Sequence, residues 1–372
     1  MAAPPPERGG WRRLALALLA VAGLGGCSTA GYYWQSATGH LHLMQAARPV
    51  QDWLDAPQTP PTLRQRLELA RRLRAFAVAE LALPDNASYH RYADLQRRAA
   101  VWNVVAAPAY SLTPRQWCFP VLGCVSYRGY FSEADARTEA QALGGEGLEV
   151  TVYGVPAYST LGWLNWAGGD PLLSTFIHYP EGELARLLFH ELAHQVVFVP
   201  DDTTFNESFA TAVERLGGAR WLALHAGEAA RAEYAVFDGR RRAFRALTRQ
   251  TREELAAIYE GNQGSTPVDQ AKQAMKNEAF RRFRVRYAEL RAGWGGDTPQ
   301  LRAYDAWVAR ANNASFAAQA AYDDLVPAFE ALFAREGGDT PQGWRRFYGA
   351  VRQLAHRPRA EREQALRALA GA

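Results

Sequence analysis

Lysine is nearly absent: Lys272 and Lys276 are the only two in 372 residues. The rest of the positive charge is arginine, spread along the chain and set against 38 acidic residues, for a net charge of +4. A nucleic-acid-binding surface needs that charge gathered into a stripe, so no nucleic-acid partner is expected. Repeats and long low-complexity runs are missing too. With 48% apolar and 22% charged residues, a disordered or fibrous chain is excluded. Cysteine is scarce at three, yet a chain this long buries a sizeable core without disulfides or metals to support folding.

What is present begins with an address. Arg8, Arg12 and Arg13 precede the apolar run Leu14–Leu24. This run is too short to span a bilayer comfortably and reads as a secretory signal over residues 1–26. It ends in Leu24-Gly25-Gly26-Cys27, which resembles the bacterial lipobox. The resemblance implies that Cys27 is lipidated and becomes the first mature residue, anchoring the chain stably in a membrane. Ser28 resembles the sorting choice for the outer membrane. The expected location is therefore the cell envelope, with the protein held on the outer membrane and facing the periplasm. In that oxidising compartment Cys118 and Cys124 read as one disulfide, the Pro and Gly between them supplying a tight loop.

Residues 27–60 read as an N-terminal tether, with a proline-rich turn near Pro57–Pro61. Thr62 caps a helical pattern running to about Leu83. Val101–Ala107 and Cys124–Phe131 are rich in β-branched and aromatic residues and read as strands. Ser132 opens a helix that stops at Gly144-Gly145; Leu148–Tyr153 alternates like a half-buried strand, and Leu172–His178 is a further candidate. From Glu181 onward nearly everything is helical in period, with breaks near Pro200, Gly217-Gly218, Gly261–Thr266, Gly293–Pro299 and Gly337–Thr340. The expected class is α+β, mostly helical. A region over 61–217, with a small mixed sheet and helices, is followed by a helical region over 218–372.

The chemistry sits in His190-Glu191-Leu192-Ala193-His194. Four residues are close to one helical turn, so both imidazoles project from one face toward a single ion. Two histidines and a glutamate on a buried face are costly to desolvate without a metal. One Zn2+ per chain is expected, with Glu191 beside it as general base rather than ligand. A catalytic zinc needs a third protein ligand and an open position. Glu207 and Glu214 are seven residues apart, two turns of a helix capped by Thr203 or Thr204. An antiparallel hairpin returns Glu207 to the histidine pair as third ligand. Glu214 then lies one layer out, where it can accept the free imidazole N–H of a ligand histidine. Asp201 and Asp202 are rival ligands.

The pair HELAH and NESFATAVE, read at 190–194 and 206–214, resembles the gluzincin metallopeptidases, above all the membrane aminopeptidases. Twelve residues separate His194 from Glu207, a shorter spacer than in those enzymes. That spacer, the lipobox, the segment Cys118–Phe131, Tyr158–Gly162 and Asn312-Asn313-Ala314 together resemble a bacterial lipoprotein family of aminopeptidase type. The likeness extends over essentially the whole mature chain. It implies that 61–217 is a zincin-like catalytic region with active-site helices and that 218–372 covers the cleft, and it implies zinc-dependent hydrolysis of peptide bonds, with N-terminal residues removed from peptides in the envelope. It also implies a tyrosine as oxyanion donor, with Tyr322 and Tyr158 as candidates, and an edge strand aligning the substrate, drawn from Leu148–Tyr153 or Tyr158–Gly162. The Gly-x-Met-Glu-Asn motif that holds the substrate amine in the membrane aminopeptidases is absent, since the methionines are Met1, Met44 and Met275. Asp170 and Glu183 are substitutes. The loop Trp163–Asp170 is expected over the cleft. An envelope endopeptidase on the same site, and a non-enzymatic assembly lipoprotein with a structural zinc, are the competing readings.

Overall fold

A computed structural model describes residues 31–119, 123–260, 268–320 and 324–370. The signal segment, Cys27, the 261–266 break and Tyr322 lie outside them. In chain order the elements are α1 (31–46), β1 (Arg48–Pro49), α2 (Val50–Asp55), α3 (Pro61–Ala79), β2 (Arg91–Ala93), β3 (Val101–Pro108), β4 (Trp117–Phe119), β5 (Gly123–Val125), β6 (Arg128–Tyr130), α4 (Glu133–Gly145), β7 (Leu148–Val155) and β8 (Leu172–Leu173). Then come α5 (Glu181–His194), α6 (Thr203–Leu224), α7 (Glu228–Glu260), α8 (Val268–Ala292), α9 (Pro299–Arg310), α10 (Asn313–Ala320), α11 (Val326–Arg335), α12 (Pro341–Ala355) and α13 (Arg359–Ala370). The class is α+β and mostly helical. Among the described residues no helix is long and apolar enough to cross a membrane.

Proline at the first helical turn starts α3, α9, α11 and α12, where its missing N–H costs nothing. Ser132, Thr298 and Thr340 cap α4, α9 and α12 through their hydroxyls. The main sheet is antiparallel in the order β6-β3-β7. Side chains alternate across it: Val104 and Ala106 of β3 pack with Ala136 and Leu143 of α4, whereas Val105 and Ala107 meet Ala314 of α10. A second small sheet runs β1-β2-β8, and β4-β5 is a hairpin with Cys118 opposite Cys124, joined as a disulfide.

Four expectations need correcting. Residues 31–60 are not a bare tether: Leu43 of α1, Ala47 after it and Val50 of α2 are buried in the largest core. Cys124–Phe131 is two short strands, because its first half pairs with β4 and its second with β3. In Leu172–His178 only Leu172 and Leu173 pair, with β2. Finally, α6 runs unbroken through Gly217 and Gly218, where a stop and a boundary were expected. These glycines allow close packing: a Cβ on Gly217 stands 2.6 Å from Leu81 Cδ1, and one on Gly218 stands 3.0 Å from Arg186 Cγ.

Candidate metal centre

The apolar face of α5 places Leu184, Leu188, Phe189, Leu192 and Ala193 in the largest core, each fully buried. This packing sets the rotation of the helix, and the opposite face turns His190, Glu191 and His194 into a cleft of about 550 Å³. The turn into α6 is held by side chains. Asn206 donates to Val199 O at 2.7 Å and accepts from Val199 N at 2.8 Å. Asp202, rather than Thr203 or Thr204, caps α6 by accepting from Phe205 N, while its other oxygen takes Arg362 of α13 at 2.5 Å. Asp201 adopts a left-handed φ of 65° and accepts from Cys124 N, tying the disulfide hairpin to the turn. Both rival ligands are thus engaged away from the histidine pair.

Glu207 arrives opposite the histidines. Its Oε2 lies 3.3 Å from His190 Nε2 and 3.7 Å from His194 Nε2, and the two nitrogens are 3.1 Å apart. Among the described residues, His190, His194 and Glu207 are the group of donors able to hold a metal ion, their donor atoms all within 4.8 Å of one another. Glu207 Oε2 is buried and faces both imidazole nitrogens. A buried carboxylate is costly unless a cation faces it. Two imidazoles and one carboxylate are a donor set that suits zinc with a position left open.

One layer out, Glu214 Oε2 meets His190 Nδ1 at 3.1 Å, and its other oxygen accepts from Arg186. Burial raises the Glu214 carboxyl, but Arg186 and His190 outweigh that and hold it at about 2. Burial lowers His194 to about 4 and raises Glu191 to about 7. Arg186 was missed by the sequence reading. Its position four residues before His190, on the same helix face, was the available signal.

Tyr158 lines the cleft, its ring 5.1 Å from Phe131 and its hydroxyl pushed up to about 12 by burial. Tyr127, unanticipated, also lines it, and burial with the nearby Glu207 raises its hydroxyl. Tyr153 feels Glu207 from the sheet side. The amine-binding candidates are placed elsewhere. Asp170 is buried and accepts from Thr160 N and Thr160 Oγ1, and Glu183 accepts from Arg241 of α7; neither lines the cleft. Ser159 and Leu161 line it, whereas Trp163 and Trp166 are exposed and do not. Of the two candidate edge strands, β7 is an edge and Tyr158–Gly162 is no strand.

A family model described as "Putative aminopeptidase" matches residues 31–366. No curated protein and no solved structure matches the chain.

Proposed function

The chain belongs to that aminopeptidase family, and on this footing we propose that it is a gluzincin-type zinc peptidase removing N-terminal residues from peptides. We place it in the bacterial cell envelope, lipid-anchored through Cys27 on the outer membrane and facing the periplasm, from the leader and lipobox in the sequence. The observation that carries the catalytic reading is the convergence of His190, His194 and Glu207 on one point, with Glu191 beside them and outside the ligand set.

Zinc bound by these three residues supplies Lewis acidity to the scissile carbonyl and makes a neighbouring water more acidic. Glu191 is the base of the reaction: it takes the proton of the attacking water and returns it to the leaving amine. Glu214 orients His190 through Nδ1 so that Nε2 is presented to the ion. Tyr127 and Tyr158 stay protonated, because burial raises both, and serve as donors to the oxyanion. Among acids lining the cleft, Asp202 is paired with Arg362, Asp201 accepts from Cys124 N, Glu207 is the proposed ligand and Glu191 the base.

The test is an assay of free and N-acetylated peptides with zinc quantified on the same sample. The expected result is about one zinc per chain, cleavage of the free peptide alone, and loss of zinc in His190→Ala, His194→Ala and Glu207→Ala. Cleavage of the acetylated peptide turns the reading to an endopeptidase. Zinc without hydrolysis of either peptide turns it to a structural site. Full zinc in Glu207→Ala, with loss in Asp201→Ala or Asp202→Ala, overturns the ligand set. Membrane retention of an unlipidated Cys27→Ser chain overturns the anchor.

A further inference from the structure

A second cavity, larger than the metal cleft at about 810 Å³, lies between the sheet and the helices α4, α7, α9 and α10. Its size is that of a ligand site. Phe244, Tyr304 and Trp307 line it from the helical side, and Val150–Tyr153 of β7 from the sheet side. Four arginines face it, Arg137, Arg241, Arg245 and Arg310, and no acidic side chain lines it. The carboxylates that pair with Arg137 and Arg241, Glu133 for the first and Glu183 with Asp238 for the second, lie outside its wall. Among the described residues Arg310 donates to Ala306 O of its own helix.

β7 pairs with β3 along one side, and its other edge carries no strand among the described residues. Asn312 Nδ2 donates to Val150 O on that outer edge at 2.9 Å. The alternation of an antiparallel ladder turns the peptide groups of Val152 and Gly154 the same way. One end of this edge, at Val155, lines the metal cleft, and the other lines the arginine cavity. Tyr153 stands between the two, lining the cavity with its hydroxyl in electrostatic reach of Glu207.

We propose that this cavity receives the part of the substrate downstream of the scissile bond, as an extended segment along the outer edge of β7, and selects segments carrying acidic side chains. Backbone groups of an edge strand pair with an extended peptide whatever its sequence, and pockets beside the edge read its side chains. Here those pockets offer aromatic surface and guanidinium forks, which match apolar side chains and carboxylates. The assignment rests on the peptidase reading of the metal centre.

The experiment is calorimetric titration of the full-length Glu191→Gln chain with short free-amine peptides that differ only in a downstream Glu, Gln or Lys pair. The Glu peptide is expected to bind about five-fold tighter than the Gln peptide, the scale of one or two partly exposed ion pairs, with the Lys peptide weakest. Arg310→Ala, and Arg137→Ala with Arg310→Ala, change exposed side chains and are expected to erase most of that preference. Equal affinity for Glu and Gln peptides, or a preference untouched by the arginine variants, overturns the proposal. So does displacement of the Glu peptide by anionic phospholipid vesicles but not by excess free acidic peptide, which assigns the cavity to lipid. Failure of the peptidase reading is seen separately, as absence of hydrolysis of every peptide by the zinc-loaded wild-type chain.

Discussion

The two larger cores among the described residues are unequal. In the larger, built around α5 and α6 with α3, α11 and α12, Leu188, Phe189, Leu192, Phe205 and Phe209 are fully buried. Their packing fixes the two helices that carry His190, His194 and Glu207. The smaller core, between α7, α8, α9 and α10, is chiefly aromatic, with Phe244, Phe280, Phe283, Tyr287 and Phe316 buried together. Its outer faces carry Arg241, Arg245 and Arg310 of the second cavity. Polar ties join it to the rest: Arg241 to Glu183, Arg186 to Asp238, and Asn313 to Glu149 and to Pro108 O. Even the scarce lysines serve such ties, since buried Lys276 donates to Ala109 O and Glu149. An apolar core places a few donor atoms to within tenths of an ångström, as ligation requires. A smaller core attached by polar ties places a surface, which is sufficient for binding.

Emptying each core separates these roles, and it is the largest effect expected. Phe209 touches Phe329 and Phe347; Phe283 touches Trp307 and Phe316. Phe209→Ala and Phe283→Ala are each expected to cost about 3–5 kcal/mol of stability, the usual range for an emptied aromatic site. Denaturant unfolding, with zinc measured on the folded fraction, discriminates them. Phe209→Ala, two residues from Glu207, is expected to weaken zinc binding, while Phe283→Ala leaves zinc unchanged and weakens peptide affinity. Equal zinc loss in both variants merges the two cores into one functional unit.

Next in size is the proposed base. Glu191→Gln keeps shape and lies outside the proposed ligand set, so zinc content and melting temperature are expected to hold. Turnover is expected to fall at least ~100-fold, about 2.7 kcal/mol, with the loss on kcat rather than KM. Near-normal hydrolysis by this variant removes Glu191 from the chemistry. Glu214→Gln is expected to act differently, weakening zinc retention by roughly ten-fold through its bond to His190 while activity returns when zinc is added. A chelator titration of both variants orders them.

The two cores also differ in how far the sequence revealed them. HELAH and the Glu207–Glu214 spacing are local patterns on single helices, so periodicity alone placed those side chains on common faces. What it left out depends on partners remote in the chain. Asp202 caps α6 while bound to Arg362, 160 residues on. The run Cys124–Phe131 is uniform in composition and divides only because its halves meet different strands. The aromatic cavity was not visible at all, since its walls come from β7, α4, α7, α9 and α10, and no single stretch carries its pattern.

Glycine misled the reading for the same reason, and it yields the smallest prediction and the most direct test of the contrast. A glycine pair in a helical pattern reads as a stop, yet Gly217 and Gly218 sit inside α6. A methyl on Gly217 meets Leu81 at 2.6 Å and Phe189 at 3.1 Å, both in the larger core. In α7, Gly239 has nothing within 4 Å of its added Cβ. Alanine is worth about 1 kcal/mol over glycine inside a helix, so Gly239→Ala is expected to stabilise by about that much. At Gly217 the same propensity gain opposes the cost of forcing atoms into a packed contact, typically about 1–3 kcal/mol. Leu81 is fully buried and has little room to withdraw, so Gly217→Ala is expected to destabilise despite the better helix former. Paired thermal melts read the opposite signs directly. If Gly217→Ala also raises the melting temperature, Leu81 can move aside at little cost. The larger core is then looser around α6 than its burial indicates, and the rigid placement of Glu207 has to come from the Asn206 and Asp202 bonds alone.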